Sequence, residues 1–106
     1  EVGGHDCGWM SEGYFERIRI AIGNAMRVIE KFGDEYTVII TADHGGHDRM
    51  HGTDMPEDMT IPMFYIGKDF EPGRELSGIS ILDIAPTISK VMGLLPEKEW
   101  EGKALC

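Results

Sequence analysis

The sequence lacks a long apolar run, a cysteine spacing pattern and an excess of basic residues. Its 106 residues carry 10 Lys and Arg against 19 Asp and Glu, a net charge of -9 that would repel a nucleic-acid backbone. Cys7 and Cys106 lie near opposite ends, so we predict neither a disulfide framework nor a cysteine zinc site, and we expect reduced thiols and a cytoplasmic location. No segment approaches the roughly 20 apolar residues of a membrane span, so no membrane association is expected.

The length and composition are typical of one small globular domain. A chain of 106 residues with 42% hydrophobic content is long enough for one domain and too short for two. Because the sequence begins at Glu1 without a methionine, we expect it to be a piece of a longer protein. The acidic excess suits either an ordinary acidic surface or a protein that holds divalent cations.

The first clear element is an amphipathic helix from about Ser11 to Lys31. Ser11 is a suitable N-cap and Gly33 a suitable stop. Apolar side chains recur at steps of three and four residues, at Tyr14, Ile18, Ile22, Ala25 and Ile29.

The rest of the chain predicts strands, a long loop and a second helix. Thr37–Thr41 and Ile61–Ile66 are continuous apolar runs typical of strands covered on both faces. The intervening loop Ala42–Thr60 is long enough to suggest function. Ile79–Gly93 has helical periodicity. This order predicts an α/β layered fold.

Histidine and carboxylate side chains gather where the first predicted strand ends. Asp43 and His44 follow it directly, and no Lys or Arg lies within four residues to compensate the carboxylate, so a metal ion would supply the missing charge. His51 and His5 offer two further imidazoles. The alternative is that Asp43 caps the loop through backbone amides and His44 is an ordinary loop histidine. His47 and Asp48 lie in the same loop; we expect one of them to orient a ligand, and we do not expect His47 to bind metal directly.

Four segments together resemble the C-terminal part of the alkaline phosphatase superfamily, closest to the type I phosphodiesterase and nucleotide pyrophosphatase branch. They are Gly4-His5-Asp6-Cys7-Gly8-Trp9, Thr41-Ala42-Asp43-His44-Gly45, His51-Gly52-Thr53-Asp54 and Ile61-Pro62-Met63-Phe64. Asp83-Ile84-Ala85-Pro86-Thr87 and Gly93-Leu94 resemble the closing helix of that superfamily. The resemblance implies a partial alkaline-phosphatase-like sheet with flanking helices, formed by residues 1–106 as the C-terminal fragment of a catalytic domain.

The resemblance also implies a pair of divalent metals. Asp43 and His44 would hold one ion; His5 and His51 would hold the other, together with an aspartate placed a few residues before Gly4-His5. We expect that aspartate, a further aspartate and the Thr or Ser nucleophile to lie upstream of Glu1. Three histidines favour zinc, with manganese as the alternative known for mutase relatives that carry more carboxylate.

The implied activity is metal-dependent hydrolysis of a small phosphoester by a longer enzyme. A sulfatase, a phosphoglycerate-mutase-like enzyme and a non-catalytic metal-binding module remain alternatives. We expect residues 1–106 alone to be inactive, unless Ser11, Thr41 or Thr53 serves as the nucleophile. We further expect the missing N-terminal half to be a partner, and an exposed strand edge to favour a homodimer.

Overall fold

The computed structural model describes all 106 residues. Its elements are, in chain order, α1 (Val2–Cys7), α2 (Glu12–Phe32), β1 (Val38–Thr41), α3 (Pro56–Met59), β2 (Met63–Ile66), a 3-10 turn (Ile81–Asp83) and α4 (Ile84–Val91). The predicted mixed α/β class is confirmed: helices flank a small sheet. None of the helices is long and apolar enough to cross a membrane.

Helix α2 follows the sequence prediction within one residue at each end. The Ser11 hydroxyl accepts a hydrogen bond from the Tyr14 amide at 3.2 Å, which satisfies one of the free N–H groups of the first turn. The Gly33 amide donates back to the Ile29 carbonyl at 2.7 Å and ends the helix. The helix packs against α1, and none of its residues is fully buried.

The two strands form an antiparallel pair that is open on both edges. Val38 lies opposite Ile66, and Thr41 lies opposite Met63. Both sequences are typical of strands covered on both faces, but residues 1–106 do not supply that cover: β1 is half-buried and ends exposed, and Phe64 in β2 is exposed, which agrees with the open strand edge expected for this piece. The physical reason is that no third strand pairs with either edge, and that a groove separates the flanking helix α2 from the sheet.

A wide apolar groove separates α2 from the sheet. Its volume is about 930 Å³, and its walls include Ile22, Met26 and Ile29 of α2 and Ile40 and Phe64 of the strands. No hydrophobic side chain is fully buried anywhere in the chain. The radius of gyration is 15.5 Å, against about 13 Å for a compact domain of this size. The hydrophobic surfaces of α2 and of the sheet therefore face each other across the groove without packing together.

The predicted helix Ile79–Gly93 is observed as a 3-10 turn followed by the shorter α4. Here a buried polar cluster replaces an apolar core. The Asp83 carboxylate accepts hydrogen bonds from the Ser80 and Lys103 amides, both at 2.8 Å, and the fully buried Thr87 hydroxyl accepts from the Leu105 amide at 3.1 Å. These contacts attach the last residues of the chain to α4.

The open sheet and groove lead us to expect that residues 1–106 alone self-associate at micromolar concentration. Unpaired strand edges and contiguous apolar surface both favour pairing with a second copy. Sedimentation velocity over a concentration series measures this, and Ile22→Glu should shift the distribution toward monomer by charging the groove wall. A sharply melting monomer at all concentrations would contradict the expectation.

Candidate metal centre

The loop that follows β1 folds back on itself and brings two of the predicted histidines together. His47 and Met50 exchange backbone hydrogen bonds of 3.0 and 2.9 Å, with Asp48 in the left-handed region at φ 47°. This tight turn places the residues on either side of it next to each other. The rings of His44 and His51 are therefore stacked, with centroids 3.8 Å apart and planes 18° from parallel.

Helix α1 brings the third predicted histidine to the same place. The Nδ1–H of His5 donates to the Arg49 carbonyl at 2.9 Å, which ties the helix to the loop. The Trp9 indole lies between the two segments, and a Cβ at Gly4 or Gly46 would come within 2.5 or 2.3 Å of it. Glycine is thus required on both sides of Trp9 for His5 to reach the loop.

The three imidazoles surround one carboxylate, that of Glu1. Its oxygens lie 3.5 Å from Nε2 of His5, 3.7 Å from Nε2 of His44 and 3.6 Å from Nε2 of His51. Two donor atoms on one tetrahedral zinc, each about 2.0–2.2 Å from the ion, lie roughly 3.4 Å apart. The ligand atoms of Glu1, His44 and His51 all fall within 4.8 Å of one another. These three donor atoms therefore lie close enough together to hold a divalent cation.

Hydrogen bonds to carbonyl oxygens fix the tautomers of two of these rings. A carbonyl only accepts, so Nδ1 must carry the proton in His5, bonded to the Arg49 carbonyl, and in His44, bonded to the Gly45 carbonyl at 2.6 Å. The Nε2 lone pairs of both rings are then free to bind a cation. The Gly45 carbonyl, aided by the nearby Asp43 and Glu1 carboxylates, raises the pKa of His44, so a proton competes with the cation at that ring.

Asp43 lies at the rim of this cluster. Its side chain is 82% exposed, and its Oδ1 is 3.7 Å from Nε2 of His44. The structure thus brings His5, His44 and His51 together around Glu1 and leaves Asp43 beside them.

Sequence reasoning missed Glu1. The expectation placed an aspartate upstream, whereas a carboxylate already lies at the i, i+4 position before His5. That spacing on a helix puts two side chains on one face and was the available signal.

A buried carboxylate lies directly behind the loop. Asp58 of α3 is 3% exposed and accepts three hydrogen bonds: from Nδ1 of His47 at 2.7 Å, from the Thr53 amide at 2.8 Å and from the Thr53 hydroxyl at 2.7 Å. The His47 bond, with those from Thr53, lowers the pKa of Asp58 to about 2, and the Asp58 carboxylate raises the pKa of His47. The Nδ1–H of His47 thus faces Asp58.

The His47–Asp58 pair predicts a pH dependence of stability. The pKa of Asp58 is lowered, so its contribution is present above its unfolded value of 3.8 and is lost as pH falls toward about 2. The pKa of His47 is raised, so its contribution is present below 6.5 and is lost as pH rises through the raised value. Midpoints of urea denaturation from pH 2 to 9 should show both losses of stability, one at low pH and one at high pH. His47→Gln should remove the loss at high pH, the upper limb of the profile. An upper limb of unchanged size in that variant would contradict this assignment.

Imidazole and carboxylate donors thus meet where α1 contacts the loop that follows β1, an arrangement suited to a metal site in an α/β domain. The chain belongs to the metalloenzyme superfamily, the alkaline-phosphatase-like superfamily of metal-dependent phosphoryl-transfer enzymes, whose family model matches residues 4–96. The superfamily resemblance seen in the sequence is therefore confirmed.

Several similar curated proteins carry the same name. The chain is 33% identical over 94 residues to a 2,3-bisphosphoglycerate-independent phosphoglycerate mutase of Cellvibrio japonicus, covering 85% of this chain and 18% of the relative. The enzyme of the same name from Clostridium kluyveri is 40% identical over 85 residues, covering 74% of this chain and 16% of the relative. This chain therefore spans less than a fifth of these relatives. No solved structure matches the chain with significance.

These relatives bear on the branch within the superfamily. The sequence favoured the phosphodiesterase and nucleotide pyrophosphatase branch, with a mutase-like enzyme as an alternative, and the relatives named above are mutases. The superfamily match supports a divalent metal and phosphoryl transfer in general. The relatives do not identify a phosphodiesterase or select zinc.

Proposed function

We propose that this chain forms part of the metal site of a phosphoryl-transfer enzyme of the phosphoglycerate mutase type. The observation that carries the proposal is the convergence of three imidazole Nε2 atoms on one carboxylate, within 3.5 to 3.7 Å. The mutase relatives support the substrate class. The proposed substrate is a small phosphorylated acid, which a chain of net charge -9 would meet through bound cations rather than through its own surface.

The residues of the centre have separate tasks in this proposal. His44, His51 and Glu1 would hold one cation, and His5 and Asp43 lie close enough to complete it or to hold a neighbouring one. When bound, such an ion polarises a phosphoryl oxygen and offsets the charge of the transferred group. The protein's own contribution is to fix the rings: the Arg49 and Gly45 carbonyls keep Nε2 of His5 and His44 facing the centre. Three imidazoles with a carboxylate suit zinc, and manganese is the alternative.

We place the nucleophile outside residues 1–106. The Ser11 hydroxyl donates to the Gly8 carbonyl and caps α2, and the Thr53 hydroxyl is bonded to the buried Asp58. Thr41 donates to the adjacent Ala42 carbonyl. All three hydroxyls are thus engaged in local hydrogen bonds, and none is hydrogen-bonded to an imidazole; a serine or threonine nucleophile is activated by such a base or by metal coordination.

A mutase and a phosphodiesterase differ in what accepts the phosphoryl group. In a mutase a hydroxyl of glycerate accepts the phosphoryl group. In a phosphodiesterase water is the acceptor, and one of the two ester bonds is hydrolysed. The full-length protein should therefore be loaded separately with zinc and with manganese. It should then be assayed for interconversion of 2- and 3-phosphoglycerate, and for hydrolysis of monoester, diester and sulfate ester chromogens.

Interconversion that is lost on chelation and restored by the metal would support the mutase proposal. Diester or sulfate ester turnover without interconversion would contradict it and return the assignment to the phosphodiesterase or sulfatase alternative. Stoichiometric metal binding with no turnover of any substrate would favour the non-catalytic module.

A further inference from the structure

The buried Asp58 is not hydrogen-bonded to any residue of the candidate metal centre. The burial of a carboxylate at this position therefore needs another explanation. Transfer of a carboxylate out of water is costly unless hydrogen bonds compensate it, and an apolar side chain would fill the same space without that cost. Asp58 is compensated by three donors, all from the loop that carries the histidines. The carboxylate therefore links specific parts of that loop.

The linked residues lie close in sequence to two of the converging histidines. His47 follows His44 by three residues, and Thr53 follows His51 by two. One carboxylate oxygen of Asp58 accepts from His47 and the other accepts twice from Thr53, so the side chain spans the turn between them. A change in the position of Asp58 would separate the segment that carries His47 from the segment that carries Thr53.

The backbone of α3 holds the same loop at its start. The Gly45 amide donates to the Asp58 carbonyl at 2.7 Å, and the Gly46 amide donates to the Glu57 carbonyl at 2.9 Å. Together with the side-chain bonds, α3 fixes the loop just after His44, in the middle at His47 and just after His51. The backbone pairing of His47 with Met50 holds the turn itself, and α3 holds the segments on either side of the turn.

We propose that Asp58 is a positioning residue of the metal centre, which holds His44 and His51 at ligand spacing by linking His47 to Thr53. The inference rests on the proposed function, because it presupposes that Nε2 of both rings would bind a cation. Residues that hold metal ligands in place typically affect metal affinity by 10- to 100-fold when replaced.

The test is calorimetric titration of the metal-free full-length protein with zinc chloride. Asp58→Asn keeps the shape of the side chain but replaces one acceptor oxygen with a donor, so it cannot accept from both His47 and Thr53. We expect zinc affinity to fall 10- to 100-fold. The nitrogen chemical shifts of His44 and His51 in the folded protein should also change, because the rings lose their relative placement.

Asp83→Asn is the matched control. Asp83 is also a buried aspartate, 5% exposed, that accepts two backbone amide hydrogen bonds, but its partners Ser80 and Lys103 lie outside the metal loop. Both variants should lose stability toward urea. Only Asp58→Asn should lose zinc affinity, and this difference separates positioning from a merely structural role.

Thr53→Val serves if Asp58→Asn does not fold. It removes one of the three hydrogen bonds to Asp58, together with the bond from the Met55 amide to the same hydroxyl, with little change of volume, and it should weaken zinc binding several-fold. If Asp58→Asn folds and binds zinc with wild-type affinity, the positioning role is overturned and the metal centre stands. If Asp58→Asn does not fold, wild-type zinc affinity of Thr53→Val has the same meaning. Absence of zinc binding by the wild-type protein would overturn both the centre and the inference.

Discussion

His44→Ala is expected to lower the zinc affinity of the full-length protein by about 1,000-fold or more and to reduce turnover to background. Its ring stacks on His51, and its Nε2 faces Glu1 with the tautomer fixed by the Gly45 carbonyl. The loss of one ligand removes several kcal/mol of cation binding and charge stabilisation, and each 1.4 kcal/mol is about tenfold. Calorimetry with zinc and a steady-state assay on the same preparation measure both effects.

Asp54→Asn is the control for this experiment. It removes an exposed charge from the same loop without touching the cluster, so its affinity for zinc should change little. Excess zinc should partly restore the activity of His44→Ala if the ring serves the cation. A His44→Ala protein that binds zinc like the wild type would show that His44 is an ordinary loop histidine.

Gly45→Ala is expected to disrupt the loop and destabilise the protein by about 3 kcal/mol or more. A Cβ at this position would lie 2.0 Å from the Glu57 carbonyl oxygen and 2.7 Å from the Thr60 carbonyl oxygen. Both obstacles are backbone atoms, so the clash is relieved only by moving α3 away from the loop. That movement breaks the hydrogen bonds of the Gly45 and Gly46 amides to α3.

Urea denaturation should show a loss of stability in Gly45→Ala, and zinc titration should show a loss of zinc affinity in the same variant. Gly23→Ala is the matched control, because a Cβ there meets nothing within 4 Å in the middle of α2. It should stabilise the protein by about 0.5–1 kcal/mol through the higher helix propensity of alanine. Equal and small effects of the two substitutions would contradict the close contact between the loop and α3.

Elements with a strong local signal were predictable from the sequence. The period of α2 and its Ser11 cap are local, as is the β-branched run of β1, so their positions agree with the structure within one residue. His44 and His51 were predictable as neighbours because of motif resemblance rather than periodicity. Nothing in their spacing alone predicts the tight turn at Asp48 that stacks their rings.

The remaining features depend on contacts between distant segments. α3 has four residues, too few for a helical period, and Pro-Glu-Asp-Met resembles an exposed turn, so the burial of Asp58 was not predictable. The covering of β1 and β2 was predicted from their apolar composition, which indicates the need for cover but not which element supplies it. Glu1 was missed because the carboxylate was sought upstream.

The attachment of the metal loop to α3 has a consequence for its motion. Loops without regular structure usually exchange their amide hydrogens with solvent quickly, because such segments open at little free-energy cost. The Gly45 and Gly46 amides are instead bonded to carbonyls of a helix whose Asp58 side chain holds the other end of the same segment. Exposing either amide to solvent requires breaking several bonds at once, so these two glycines should exchange as slowly as residues within a helix, and the rings they support should already be in place when a cation arrives.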